Sequence, residues 1–180
     1  DVAPGEYQVN LSVTNNVGGM DGDKLKVYVS FYGHWSDSDW QISGGNTNDP
    51  EELEFEMPVV YDKEQGNTVR KVEVILTYPQ IDDDCTDITP GEGNNCRNKL
   101  DIYAYNEEED EAKNTTETPL DNREEGDCDD ESDCVLMLLS SYMFTDTEST
   151  YGDGEWIIAI HNEKVNDQKI ESFVIILHYK

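Results

Sequence analysis

Val69-Arg70-Lys71-Val72-Glu73-Val74-Ile75-Leu76-Thr77-Tyr78 places apolar side chains at Val72, Val74, Leu76 and Tyr78. A period of two marks an extended strand, because successive side chains leave a β-strand on opposite faces. The same alternation recurs on both sides of this segment. Upstream it runs through Tyr7, Val9, Leu11 and Val13, through Leu25, Val27, Val29 and Phe31, and through Leu53, Phe55 and Met57. Downstream it runs through Leu100, Ile102 and Ala104, through Trp156, Ile158 and Ile160, and through Phe173, Ile175, Leu177 and Tyr179. Phe173 to Leu177 is apolar on both faces, which predicts a central strand. Val135 to Phe144 fits helix or strand, and its β surroundings favour strand. Polar turn clusters separate the runs, so the chain is expected to be an all-β, jelly-roll-like β-sandwich with long acidic, disulfide-stapled loops.

A single domain spanning 1–180 is expected, with a hairpin at 1–33 and an acidic insertion at 107–133. Residues 81–134 hold 20 acidic side chains against 4 basic ones, and only Leu100 to Tyr105 reads as core within them. The whole chain carries 41 Asp plus Glu against 12 Lys plus Arg, a net charge of −29. That argues against nucleic acid, whose phosphates need a basic face, and against anionic membranes. No apolar run approaches the ~20 residues of a membrane-spanning helix. Carbohydrate, divalent cations and other protein chains remain as partners.

Cys85, Cys96, Cys128 and Cys134 allow three pairings. The local one, 85–96 with 128–134, is favoured because each bond closes a short polar loop between strand-like runs. Disulfides point to an oxidising, extracellular or cell-surface location. The sequons at Asn10 and Asn114 agree with that and predict a glycoprotein. The chain is read as a mature form starting at Asp1, or as a piece of a larger protein.

Glu6-Tyr7 after Gly5 opens one run, and Glu155-Trp156 after Gly154 opens another. Each continues as a strand, a polar turn and a second strand beginning near a Lys. A duplicated hairpin and two unrelated amphipathic hairpins both give this pattern. Duplication would let the N-terminal hairpin take the place of its counterpart in a neighbouring copy, by strand addition.

The candidate chemistry is sparse. Asp127, Asp129, Glu131 and Asp133 alternate across the loop between Cys128 and Cys134. Calcium takes about six to eight oxygen ligands, which such a set begins to supply. Asp82, Asp83, Asp84 and Asp87 beside Cys85 form a second candidate calcium cluster, and Asp146, Glu148 and Asp153 a third. A solvated acidic surface explains the same residues. Tyr32, Trp35 and Trp40 lie among carboxylates, a mixture that suits pyranose rings; anchoring of the core or of a subunit contact is the competing role for both tryptophans. His161 and His178 fall on strands and are expected at the surface or at an edge. No nucleophile elbow, zincin, P-loop or dinucleotide motif is present, so the chain reads as a non-enzyme.

VRKVEVILTY at 69–78, KLDIYAYN at 99–106 and GEWIIAIHN to DQKIESFVIIL at 154–177 resemble the P-domain and pre-peptidase C-terminal domains that follow subtilisin-like proteases. Asn162 stands where that family has Asp, and Phe173 where it has Trp. The resemblance implies a jelly-roll accessory module, often calcium-binding, without catalysis of its own. Tyr7 to Gly33 resembles a PLAT-type sandwich more faintly. Two functions follow as expectations. One is a structural or adhesive extracellular protein, a fibre or surface-layer subunit that self-associates. The other is a calcium- or carbohydrate-binding accessory module of a secreted enzyme.

Overall fold

A computed structural model describes residues 5–61, 63–64, 68–81, 97–123, 128, 131–145, 147 and 150–179, with the side chains of 5, 6, 28 and 121 left aside. Twelve strands occur among them: β1 (Gly5–Thr14), β2 (Met20–Val29), β3 (Phe31–Trp35), β4 (Gln41–Ile42), β5 (Glu51–Val59) and β6 (Val69–Pro79), then β7 (Asp101–Tyr105), β8 (Glu111–Asn114), β9 (Ser132–Ser140), β10 (Gly154–Asn162), β11 (Gln168–Lys169) and β12 (Ser172–Tyr179). Two 3-10 turns, Leu120–Asn122 and Ser141–Phe144, are the described helical segments.

Eight strands form two antiparallel sheets, ordered β3-β12-β6-β9 and β5-β10-β7-β8. With these eight strands numbered along the chain, the sheets run 1-8-3-6 and 2-7-4-5, the order of a jelly roll. The expected fold class is thus the observed one. β12 is central, as its two apolar faces predicted. Val135 to Ser140 is strand, and Ser141 to Phe144 turns off it as a 3-10 segment.

The alternating apolar residues meet between the sheets. Val72, Val74, Leu76 and Tyr78 of β6 are buried, as are Ile102, Trp156, Ile158 and Ile160 opposite. The outer faces differ: β5 turns Glu52, Glu54 and Glu56 to water, whereas β9 exposes Leu136 and Leu138 and β12 keeps Val174 and Ile176 half-buried.

Three expectations need correction. First, the 154–179 segment is not a hairpin equivalent to 5–29. β10 and β12 lie in opposite sheets, whereas β1 and β2 pair directly through ten residue pairs from Gly5↔Val29 to Thr14↔Met20. The shared alternation reports strands and says nothing about which strands pair, because pairing is a non-local choice.

Second, residues 107–133 are not simply a loop outside the core. β8 pairs with β7, and Arg123 behind it is fully buried. The Arg123 guanidinium donates to Tyr78 Oη at 3.0 Å, Asp101 Oδ1 at 2.5 Å, Thr115 O at 3.2 Å, Thr118 O at 3.1 Å and Leu100 O. Every donor direction of the fork is used, so a buried charge is accommodated and the acidic segment is pinned to the sandwich. Third, His161 is buried, at 4% exposure, rather than lying at the surface.

Candidate functional site

β1 and β2 form a two-stranded sheet of their own, which touches the sandwich where β2 meets β12. The loop between them is built by Asn15, whose Oδ1 accepts from Val17 N and Gly19 N, while Gly18 takes a φ of +81° that a side chain would resist. Cross-strand partners share a face. One face therefore carries Tyr7, Val9 and Leu11 beside Val27 and Leu25, with Asp23 and Asp21 toward the tip. The other carries Gln8 opposite Lys26 and Asn10 opposite Lys24. Toward the tip the apolar face is uncovered, with Leu11 64% and Leu25 63% exposed, while Tyr7 and Val27 at its base are half-buried. Large apolar patches left open on a soluble protein mark interaction surfaces.

The second feature lies on the flank of the sandwich, between edge strands β3 and β5. A cleft of about 580 Å³ is lined by His34, Trp35, Ser36, Asp37, Trp40, Leu53, Glu54 and Phe55. Its floor is aromatic. Trp35 and Phe55 have ring centroids 4.6 Å apart, Trp40 and Phe55 6.1 Å, and Phe55 and the core residue Phe173 4.6 Å. Gly33 makes room for this packing, since a Cβ there would collide with the Trp35 ring.

The third feature is the outer face of the β5-β10-β7-β8 sheet. Glu52, Glu54 and Glu56 stand exposed in a row along β5, while Leu53 and Phe55 between them point inward and stay half-buried. On the neighbouring strands His161 stacks on Tyr103 with centroids 3.8 Å apart. His161 Nε2 stands 3.4 Å from Glu52 Oε1. Burial holds the imidazole below its ordinary pKa, against the pull of the nearby carboxylates. Tyr103 Oη donates to Glu163 Oε1 at 3.1 Å, and burial together with that carboxylate raises the phenol. Burial pushes Tyr105 up to about 12. All three rings are thus held uncharged at neutral pH beside a row of carboxylates.

The predicted site residues scatter across these features. Trp35 and Trp40 come together, both half-buried against the core and both lining the cleft. Tyr32 does not join them; it lies 62% exposed on the opposite face of β3, beside His34. Asp133 is fully buried and its Oδ1 lies 3.4 Å from Arg97 Nη2, while Glu131 remains exposed. The pairing Cys128–Cys134 is present, with Cα atoms 5.9 Å apart. Asp153 accepts from Tyr61 N at 3.1 Å. Asp82, Asp83, Asp84, Asp87, Asp127, Asp129, Asp146, Glu148, Cys85 and Cys96 lie outside the described residues. Among the described residues no group of three His, Cys, Asp or Glu side chains is arranged to hold a metal ion.

Asn10 is exposed on the polar face of the hairpin. Asn114 is half-buried, and its Oδ1 accepts from Thr116 Oγ1 at 2.8 Å. Sequence reading missed the carboxylate row, although Glu52, Glu54 and Glu56 are the polar complement of the Leu53-Phe55-Met57 alternation it used.

No protein-family model matches the chain, and no curated protein matches it. Among solved structures, one similar chain is described under "Structural basis for the promiscuous specificity of the carbohydrate-binding modules from the beta-sandwich super family". It is 11% identical with a TM-score of 0.30, and the alignment covers 99% of this chain and 75% of that one. A likeness at that score carries no argument about what this chain binds.

Proposed function

We propose that this protein is a non-catalytic extracellular β-sandwich that works by associating with copies of itself, as a structural or adhesive subunit. The observation that carries the reading is the N-terminal hairpin. A two-stranded sheet is marginal in water on its own, and this one leaves Val9, Leu11 and Leu25 of its apolar face uncovered on a chain otherwise dense in charge. A covering surface supplied by another molecule accounts for both. The Cys128–Cys134 bond supports a place outside the reducing cytosol.

Sedimentation and light scattering across a concentration series test the proposal. Association that grows with concentration is expected, and exchanging Val9, Leu11 and Leu25 for Ser should abolish it. Those side chains are exposed, so the sandwich should melt unchanged. A wild-type chain that stays monomeric at high concentration would defeat the reading.

A second reading has its own observation. The cleft joins an aromatic floor to the Asp37 and Glu54 carboxylates, a combination that can stack a pyranose and hydrogen-bond its edge. A glycan array with wild type and Trp40→Ala checks it. Saccharide binding that Trp40→Ala leaves unchanged would remove the cleft as the sugar site.

A further inference from the structure

Resting on the assembly reading above, we infer that β2 of one copy adds to the open edge of β5 in the next. In this arrangement Lys24 and Lys26 face the Glu52-Glu54-Glu56 row, while Leu25 and Val27 enter the Trp35-Trp40-Phe55 cleft.

Both strands have an edge to offer. Among the described residues β5 ends its sheet and pairs only with β10. β2 pairs only with β1 among the named strands. An edge strand presents unpaired N–H and C=O groups, which template a further strand. Pro58 lacks the N–H near one end of β5, so pairing is confined to Glu51–Met57.

The side chains match by face. β2 reads Lys24-Leu25-Lys26-Val27, and β5 reads Glu52-Leu53-Glu54-Phe55-Glu56. Residues two apart on a strand are about 6.7 Å apart, so two lysines meet two glutamates in step. When the lysines lie on the outer face, Leu25 and Val27 necessarily point inward. There the half-buried Leu53, Phe55, Trp35 and Trp40 leave the sandwich flank open.

Charge decides which surface approaches. Asp1, Glu6, Asp21 and Asp23 against Lys24 and Lys26 leave the first 29 residues at −2 of the −29 total. The bodies of two copies repel, and the hairpin is the near-neutral part that can come close. A carboxylate row on an edge strand ordinarily keeps sheets apart. Here it turns away acidic edges and admits a strand whose lysines are in step with it, which makes the contact specific. Hairpin and cleft are different patches, so the contact is heterologous and adds copies head to tail.

The test uses full-length protein in two charge-reversed forms, Lys24→Glu with Lys26→Glu and Glu54→Lys with Glu56→Lys. Glu52 is spared because it faces His161. Each form alone should associate about tenfold or more weakly than wild type by sedimentation, since like charges meet across the contact. Mixed one to one, the two forms should assemble again. Circular dichroism and melting curves should show both forms folded as wild type.

Reversed forms that associate as wild type, or a mixture that fails to assemble, would overturn this docking. If the Val9, Leu11 and Leu25 exchanges still abolish association in that case, self-assembly through the hairpin survives with another acceptor. A monomeric wild type would overturn both. A saccharide that binds the Trp40 cleft should compete with assembly, and one that binds there without weakening association would also count against the docking.

Discussion

Arg123 sits fully buried with its charge met by Asp101 and its remaining donors by Tyr78 and three carbonyls. Removing one partner of a buried pair costs about 3–5 kcal/mol when the charge left behind stands alone; here Lys99 Nζ still lies 3.1 Å from Asp101 Oδ2, so the lower end, about 3 kcal/mol, applies. Arg123→Met should therefore destabilise by about that amount in denaturant titration. The double exchange with Asp101→Leu should recover part of the loss, because the buried carboxylate goes with the guanidinium and Lys99, which it leaves, reaches water. His161 adds a pH signature. Its folded pKa lies below the ordinary value of 6.5, so as pH falls through 6.5 the unfolded chain takes up the proton first. Stability from this group is complete above that pH and is lost progressively below it. His161→Gln should flatten the fall in melting temperature between pH 7.5 and 5 relative to wild type. Neither residue was legible beforehand. An arginine in a run of Asp and Glu looks like a solvated charge, and a histidine on a strand does not announce which face it takes. Burial of such groups is decided by neighbours from distant strands, Tyr78 and Asp101 in one case and Tyr103 and Glu52 in the other.

Strands were legible because alternation is local, whereas their partners were not. Trp156-Ile158-Ile160 and Phe173-Ile175-Leu177 read as one hairpin and settle in opposite sheets. The connection through β11 is long enough to cross the sandwich, and apolar periodicity is blind to that crossing. The cleft was half legible. Trp35 and Trp40 were singled out together, but Tyr32 faces away because it neighbours Gly33 on a strand whose faces alternate. Gly33 itself fixes the cleft's shape. Gly33→Ala should push the Trp35 ring outward at a cost of about 1–3 kcal/mol, seen in unfolding, and should shift the tryptophan fluorescence as the ring gains water. The Cys128–Cys134 bond closes a loop of sequence separation 6 at the start of β9. So short a loop restricts the unfolded chain by roughly 2 kcal/mol. Exchanging both cysteines for Ser should lower stability by about that amount while leaving far-ultraviolet circular dichroism unchanged.

At the scale of the whole molecule, a charge of −29 opposes any contact between copies, and the ionic strength sets how far that opposition reaches. The screening length is about 30 Å at 0.01 M salt and about 8 Å at 0.15 M. At the lower concentration each body feels the other across its whole width. At the higher one, only groups near the contact interact. Two effects then compete. Salt weakens the attraction of Lys24 and Lys26 for the Glu52-Glu54-Glu56 row, an exposed interaction worth little per pair. Salt also removes the repulsion between two bodies carrying most of forty-one acidic residues, and the apolar burial of Leu25 and Val27 is nearly indifferent to it. The long-range repulsion involves many more charges than the local attraction, so its loss should win. Self-association should strengthen as salt rises from 0.01 to 0.15 M, the reverse of a contact held mainly by ion pairs. The one-to-one mixture of charge-reversed forms should follow the same trend, since both keep a strongly negative body. Sedimentation at the two salt concentrations measures the sign directly, and association that falls with added salt would mean that the lysine–glutamate contacts outweigh the body charge.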